Sequence, residues 1–131
     1  MVGLDTNVLI RYLTQDDEHQ AAKATAFIEG TLTQQNLGYI NVIVLVETLW
    51  VLESCYTVNK TGLINVLKKL VTTKQFLIQN IEVVIQAILT YETHLIDYAD
   101  ALLGHINNFA QCSSTYTFDQ KAAKLGLFTS L

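Results

Sequence analysis

Short apolar segments alternate with longer segments of helical periodicity along most of this chain. The apolar segments are bounded by polar residues or glycine, as buried strands usually are. The predicted strands are Val2–Leu4, Leu37–Ile40, Phe76–Ile78, Ser114–Phe118 and Leu127–Thr129. Strands that alternate with helices favour an α/β fold with a mainly parallel sheet. The length, 131 residues, is that of one ordinary domain, so we expect residues 1–131 to form a single domain.

The segments between the strands have the apolar spacing of amphipathic helices. Predicted helices run to about Leu13, from Asp16 to near Gly30, from Asn41 to about Tyr56, from Asn59 or Thr61 onward, over Ile81–Thr93 and over Asp97–Gln111. In the fifth of these, the residues expected to face the core are Ile81, Val84, Ile85 and Ile88. The segment after Asp119, QKAAKLG, is also helix-like.

Composition excludes several classes of protein. Charged residues make up only 15% of the chain and the net charge is −4, so a general polycationic affinity for nucleic acid is not indicated. We expect no signal peptide and no membrane span, and therefore a cytoplasmic protein. Cys55 and Cys112 are too few for a disulfide framework, and we expect both thiols to be free and buried. The low charge content also predicts some apolar surface that meets another chain.

Four carboxylates stand at positions where a site could form. Asp5 and Asp119 each follow a predicted strand, and sites in parallel sheets gather at the carboxyl ends of the strands. Glu47 interrupts the apolar helix VIVLVETLWVL, and Asp100 lies in the first turn of a helix that Asp97 would cap. If such carboxylates converge, their mutual repulsion requires a proton or a cation to offset it.

Each of these acids also has an ordinary structural explanation. Asp5, Asp97 and Asp119 are all at positions where a helix N-cap is expected, and Asp100 could simply support the first turn of the helix that Asp97 caps. Glu47 could reach solvent at one edge of its helix, or it could pair with Arg11. A site with oxygen ligands alone favours Mg²⁺ or Mn²⁺ over zinc, and the three histidines show no zinc-ligand spacing.

Four blocks of the chain resemble, in order, the acidic blocks of PIN-domain ribonucleases, and most closely those of VapC-type toxins from bacterial toxin–antitoxin pairs. The blocks are MVGLDTNVLIRYLTQDD, VIVLVETLWVL, DYADALLGH and TYTFDQKAAKL. The first block is the most specific and the last is weak by itself. The resemblance covers essentially the whole chain. It implies a three-layer α/β/α fold, with a central parallel sheet of about five short strands between helices.

The same resemblance implies an activity and its residues. Asp5, Glu47, Asp100 and Asp119 match the family's metal-binding catalytic acids, and Thr6 and Asn7 match polar helpers beside the first acid. The implied reaction is hydrolysis of RNA phosphodiester bonds by water activated by one or two Mg²⁺ or Mn²⁺ ions. The implied partners are RNA, a cognate antitoxin protein and a second copy of the chain in a homodimer.

Some assignments stay open from the sequence. Arg11 could contact a substrate phosphate, or it could be a solvated or ion-paired surface residue. A PIN-like fold that only binds partners would keep the architecture without metal binding. A phosphohydrolase with a strand-end aspartate usually needs a second Asp two positions later, where this chain has Asn7.

Overall fold

The computed structural model describes residues 1–131, and the chain forms two compact units, Met1–Gln79 and Asn80–Leu131. Both units combine helices with parallel strands, which confirms the predicted α/β class. All five predicted strands occur, with bounds that differ from the predictions by at most one residue at either end, but they form a three-stranded and a two-stranded sheet where one sheet of about five strands was expected. None of the helices combines the length and apolar character of a membrane-spanning segment.

The first unit contains three strands and four α-helices. Its elements are β1 (Val2–Gly3), α1 (Thr6–Thr14), α2 (Glu18–Thr25), β2 (Gly38–Ile40), α3 (Val42–Tyr56), α4 (Lys60–Thr72) and β3 (Phe76–Ile78). A π-helical turn, Ala26–Thr31, extends α2 past Gly30. The strands form one parallel sheet in the order β1–β2–β3, with Gly38 opposite both Val2 and Phe76. Because the three strands are parallel, their carboxyl ends, at Gly3, Ile40 and Ile78, lie at the same edge of the sheet.

Polar side chains start the helices of the first unit where the sequence predicts. Asp17 accepts a hydrogen bond from the amide of Gln20, and Asn41 accepts one from Val44. Asn59 does the same for Gly62, which settles the start of α4 in favour of Asn59 over Thr61. Each cap satisfies an amide that has no partner inside its helix, which stabilises the helix by about 1 kcal/mol. The fully buried core of this unit includes Leu9, Ile10, Ile28, Ile40, Leu45, Leu67 and Leu70.

The second unit contains two α-helices and two strands. Its elements are α5 (Ile81–Thr93), α6 (Tyr98–Phe109), β4 (Thr115–Thr117), a 3₁₀ turn (Ala122–Lys124) and β5 (Phe128–Ser130). The two strands are parallel, with Thr115 opposite Phe128. The buried Tyr98 donates a hydrogen bond to the carbonyl of Val84 at 3.1 Å, which ties α6 to α5.

Three predictions about these elements are wrong. On α5, Val84 and Ile88 are buried as expected, but Ile81 and Ile85 are 40% and 42% exposed. The helix-like segment after Asp119 forms only the 3₁₀ turn, because seven residues allow too few helical hydrogen bonds to offset the cost of starting a helix. Cys55 and Cys112 are free, as predicted, but both are exposed, because they lie at or just past the ends of α3 and α6.

Candidate functional site

Thr6 links two of the predicted site carboxylates in the first unit. Asp5 follows β1 in extended backbone conformation and caps α1, where its Oδ1 accepts a hydrogen bond from the Thr6 amide at 2.9 Å. The Thr6 hydroxyl donates a hydrogen bond to Oε1 of Glu47 on α3. Thr6 itself is buried, at 4% exposure. One buried residue therefore holds carboxylates that lie 42 positions apart in the sequence.

Glu47 reaches solvent, which confirms one of the two structural explanations offered for it. The residue is exposed although α3 is otherwise strongly apolar. Pairing with Arg11, the second explanation, is wrong, because the guanidinium of Arg11 pairs with Asp16 at 3.3 Å. Oε1 of Glu47 accepts the Thr6 hydrogen bond, and the other carboxylate oxygen has no protein partner. Glu47 is thus fixed in place at one oxygen and available to a ligand at the other.

Arg11 is held by several polar groups around the end of α1. Its Nε donates to Gln20 Oε1 at 2.7 Å, and its Nη1 donates to Asp16 and to the Tyr56 hydroxyl, both at 3.3 Å. Tyr56 also donates to Asp16 at 2.6 Å, and hydrogen bonds from Tyr56 and Thr14 hold the pKa of Asp16 below its usual value. This network agrees with the ion-paired alternative for Arg11. No sequence pattern indicates this network, because Tyr56 and Arg11 are 45 positions apart.

The second unit brings three acids into electrostatic contact. Asp97 occupies the N-cap position of α6, Asp100 lies in the first turn of that helix, and Asp119 follows β4. Burial raises the pKa of Asp100, and the negative charges of Asp97 and Asp119 raise it further. The raised pKa shows that a negative charge on Asp100 is disfavoured in the absence of a nearby cation.

Asp97 and Asp119 differ in how they serve as caps. The side chain of Asp97 makes no capping hydrogen bond, although a cap was its expected role. Asp119 accepts hydrogen bonds from the amides of Lys121 at 2.9 Å and Ala122 at 3.4 Å through Oδ1 alone, as a cap does. The three-residue spacing of Asp97 and Asp100 predicts a capping box, so the capping role expected for Asp97 is wrong, and its charge acts on Asp100 instead.

The donor atoms of these carboxylates suit a hard divalent cation. Neither unit by itself contains three His, Cys, Asp or Glu side chains arranged to hold a metal ion. Mg²⁺ is commonly held by one or two carboxylates, with water completing its octahedral shell. Asp5 and Glu47 in the first unit, and Asp100 and Asp119 in the second, fit that ligand chemistry. The remaining predicted helper, Asn7, is exposed in the first turn of α1, next to Thr6.

The order and chemistry of these acids agree with a family match. A model of the PIN domain matches residues 2–126, which is nearly the whole chain and spans both units. The chain belongs to the PIN domain family. PIN domains are in general nucleases, and they typically use divalent metal ions. Comparisons with curated proteins and with solved structures gave no match.

Proposed function

We propose that this PIN domain is a metal-dependent endoribonuclease that acts as the toxin of a toxin–antitoxin pair. The observation that carries the proposal is the pair of hydrogen bonds by which buried Thr6 holds Asp5 and Glu47. Carboxylate oxygens are the ligands that Mg²⁺ and Mn²⁺ prefer, and one buried threonine here fixes two of them. A structural role alone would not need both acids on one threonine, since Asp5 by itself caps α1.

The proposed roles follow the chemistry of each side chain. Asp5, Glu47 and Asp100 would bind Mg²⁺ or Mn²⁺, and Asp119 would bind a second ion or orient its waters. Thr6 acts as a positioning residue, because its amide and hydroxyl fix the two acids of the first unit. When bound, the cation lowers the pKa of a coordinated water and neutralises charge on the phosphate. The chain's own residues supply oxygen ligands and no protein nucleophile.

The proposed partners rest on the resemblance and on the surface. Large apolar side chains are exposed at Ile43 (74%), Trp50 (64%), Leu95 (85%) and Phe118 (78%), and partners could cover them. We propose that a second copy of the chain and a small antitoxin protein cover such surface, and that the protein acts in the cytoplasm. Size-exclusion chromatography with light scattering measures directly whether the chain forms a homodimer.

The competing functions make different predictions. A PIN fold that only binds partners would show no Mn²⁺ binding by calorimetry. A phosphohydrolase that uses Asp5 would bind beryllofluoride, although Asn7 stands where such enzymes place their second aspartate. Both alternatives leave the hydrogen bond between Thr6 and Glu47 without a purpose in the chemistry.

RNA cleavage by matched variants tests the proposal. Wild-type protein, Asp5→Asn and Glu53→Gln are incubated with defined RNAs and Mg²⁺ or Mn²⁺, with and without chelator. Glu53 is an exposed acid on the same helix as Glu47, so Glu53→Gln makes the same type of change away from the site. We expect chelator and Asp5→Asn to abolish cleavage and Glu53→Gln to retain it. Equal metal-dependent cleavage by wild type and Asp5→Asn would refute the assignment.

A further inference from the structure

A cleft of about 310 Å³ lies between α1 and α2 in the first unit. Its lining residues are Asn7, Val8, Arg11, Gln20, Lys23, Ala24 and Phe27. The lining residues occupy one face of each helix. On α1, Val8 and Arg11 are one turn apart. From α2 into the π-helical turn, the lining residues lie at one-, three- and four-residue separations typical of a single helix face, and they are Gln20, Lys23, Ala24 and Phe27. The volume is at the lower end of the range for pockets that take small organic groups.

The cleft begins beside the candidate active site. Asn7, which lines it, follows Thr6, the residue that holds both Asp5 and Glu47. The cleft then runs along α1 toward Arg11, one helical turn further on. A polymer that reaches the carboxylates could therefore place its neighbouring residue in this cleft without leaving the first unit.

The cleft carries positive charge in a chain whose net charge is −4. The side chain of Lys23 is exposed and makes no hydrogen bond or ion pair. Arg11 uses Nε and Nη1 for its protein partners, which leaves Nη2 for a ligand. Asp16 pairs with Arg11, so Lys23 supplies the uncompensated positive charge of the cleft and Nη2 of Arg11 supplies a second donor, and together they suit a phosphate group.

The walls of the cleft are apolar. Val8 and Phe27 are half-buried and Ala24 is buried, so together they form a surface on which a flat ring can pack. Aromatic side chains stack on nucleic-acid bases of any sequence, because every base has a π-face. Cations beside an aromatic and aliphatic wall match the two parts of a nucleotide, its phosphate and its base.

We propose that this cleft binds one nucleotide of the RNA next to the scissile phosphate, with its phosphate at Lys23 and Arg11 and its base against Phe27. The proposal rests on the proposed ribonuclease function, and it adds a subsite that gives the enzyme its hold on single-stranded RNA. Single-stranded RNA is the occupant because a base in a duplex is stacked and cannot enter a cleft of this size.

The test measures binding of a fluorescent single-stranded RNA decamer in the presence of chelator, so that no cleavage is needed. Lys23→Glu is compared with Lys74→Glu, which makes the same change at an exposed lysine outside the cleft. We expect Lys23→Glu to weaken binding about tenfold and Lys74→Glu less than about twofold. Lys23→Gln should lower the slope of log affinity against log salt by about one. Phe27→Leu should weaken binding about fivefold at unchanged thermal stability.

The outcomes separate the cleft from the proposed function. If Lys23→Glu and Lys74→Glu bind the decamer equally well, the cleft is not an RNA subsite, even when wild type cleaves RNA with metal. Binding that depends on Lys23 in a protein that never cleaves RNA supports the subsite and contradicts the ribonuclease proposal. If a polyglutamate peptide binds wild type but not Lys23→Glu, while RNA binding is equal in both, the cleft serves an acidic protein partner and the proposal is overturned.

Discussion

Replacing Thr6 with valine removes one hydroxyl and little else. Valine keeps the shape of the buried side chain, and the backbone amide still donates to Asp5. The hydrogen bond to Glu47 is lost. Because Glu47 is exposed, water replaces part of that bond, and we expect the free energy of unfolding to fall by about 1 kcal/mol. Glu47 then loses its fixed position, and loss of such a supporting hydrogen bond lowers metal affinity about tenfold or more.

Thr48 provides a matched control for this substitution. It is the other buried polar residue of the chain, at 0% exposure, and it follows Glu47 on α3. Its hydroxyl has no hydrogen-bond partner, so Thr48→Val removes a buried unsatisfied group. We expect Thr48→Val to raise the free energy of unfolding by about 1 kcal/mol and to leave metal affinity unchanged.

Urea unfolding in chelator and Mn²⁺ calorimetry measure the two effects. We expect the free energy of unfolding to fall in Thr6→Val and to rise in Thr48→Val. Mn²⁺ binding should be weaker only in Thr6→Val. Thr6→Ser keeps the hydroxyl and should restore Mn²⁺ affinity to near the wild-type value. If both valine variants shift stability in the same direction, or if Thr6→Val binds Mn²⁺ like wild type, the positioning role assigned to Thr6 is wrong.

Two further substitutions test the second unit. The pKa of Asp100 is raised by burial, Asp97 and Asp119, so its charged form is the less favourable one in the folded state, and the contribution of Asp100 to stability falls as pH rises through that raised pKa. Asp100→Asn should therefore flatten this fall and be more stable than wild type at pH 7 in chelator, as urea midpoints measured from pH 4 to 7 would show. Gly104→Ala should lower the free energy of unfolding by about 2 kcal/mol, because its Cβ would lie 2.7 Å from the Phe128 ring. If the variant melts at the same temperature as wild type, the ring moves aside freely and this expectation is wrong.

The sequence predicts local structure well where one residue determines it. Asn41 and Asn59 cap α3 and α4 because a short polar side chain before an apolar segment satisfies the first free amide. The order of strands and helices follows in the same way from apolar spacing. α5 shows the limit: it has apolar residues on two faces, and spacing alone cannot show that Val84 rather than Ile85 faces the core.

Residue spacing does not predict contacts between residues that are far apart in the sequence. The resemblance marks Thr6 as a polar helper, but nothing in the sequence shows that its hydroxyl reaches Glu47, 41 positions away. Likewise, Arg11 could pair with any nearby acid, and the choice of Asp16 depends on where α1 ends. Such pairings depend on the packing of α1 against α3. The spacing of residues within one helix carries no information about that packing.

Mn²⁺ calorimetry on Asp5→Asn and Asp100→Asn, one variant from each unit, measures whether these acids bind a divalent cation. Asp5 and Asp100 are both proposed cation ligands, so we expect each single variant to lower Mn²⁺ affinity at least about tenfold relative to wild type and to Glu53→Gln. The ligand assignment is wrong if either variant binds Mn²⁺ as tightly as wild type.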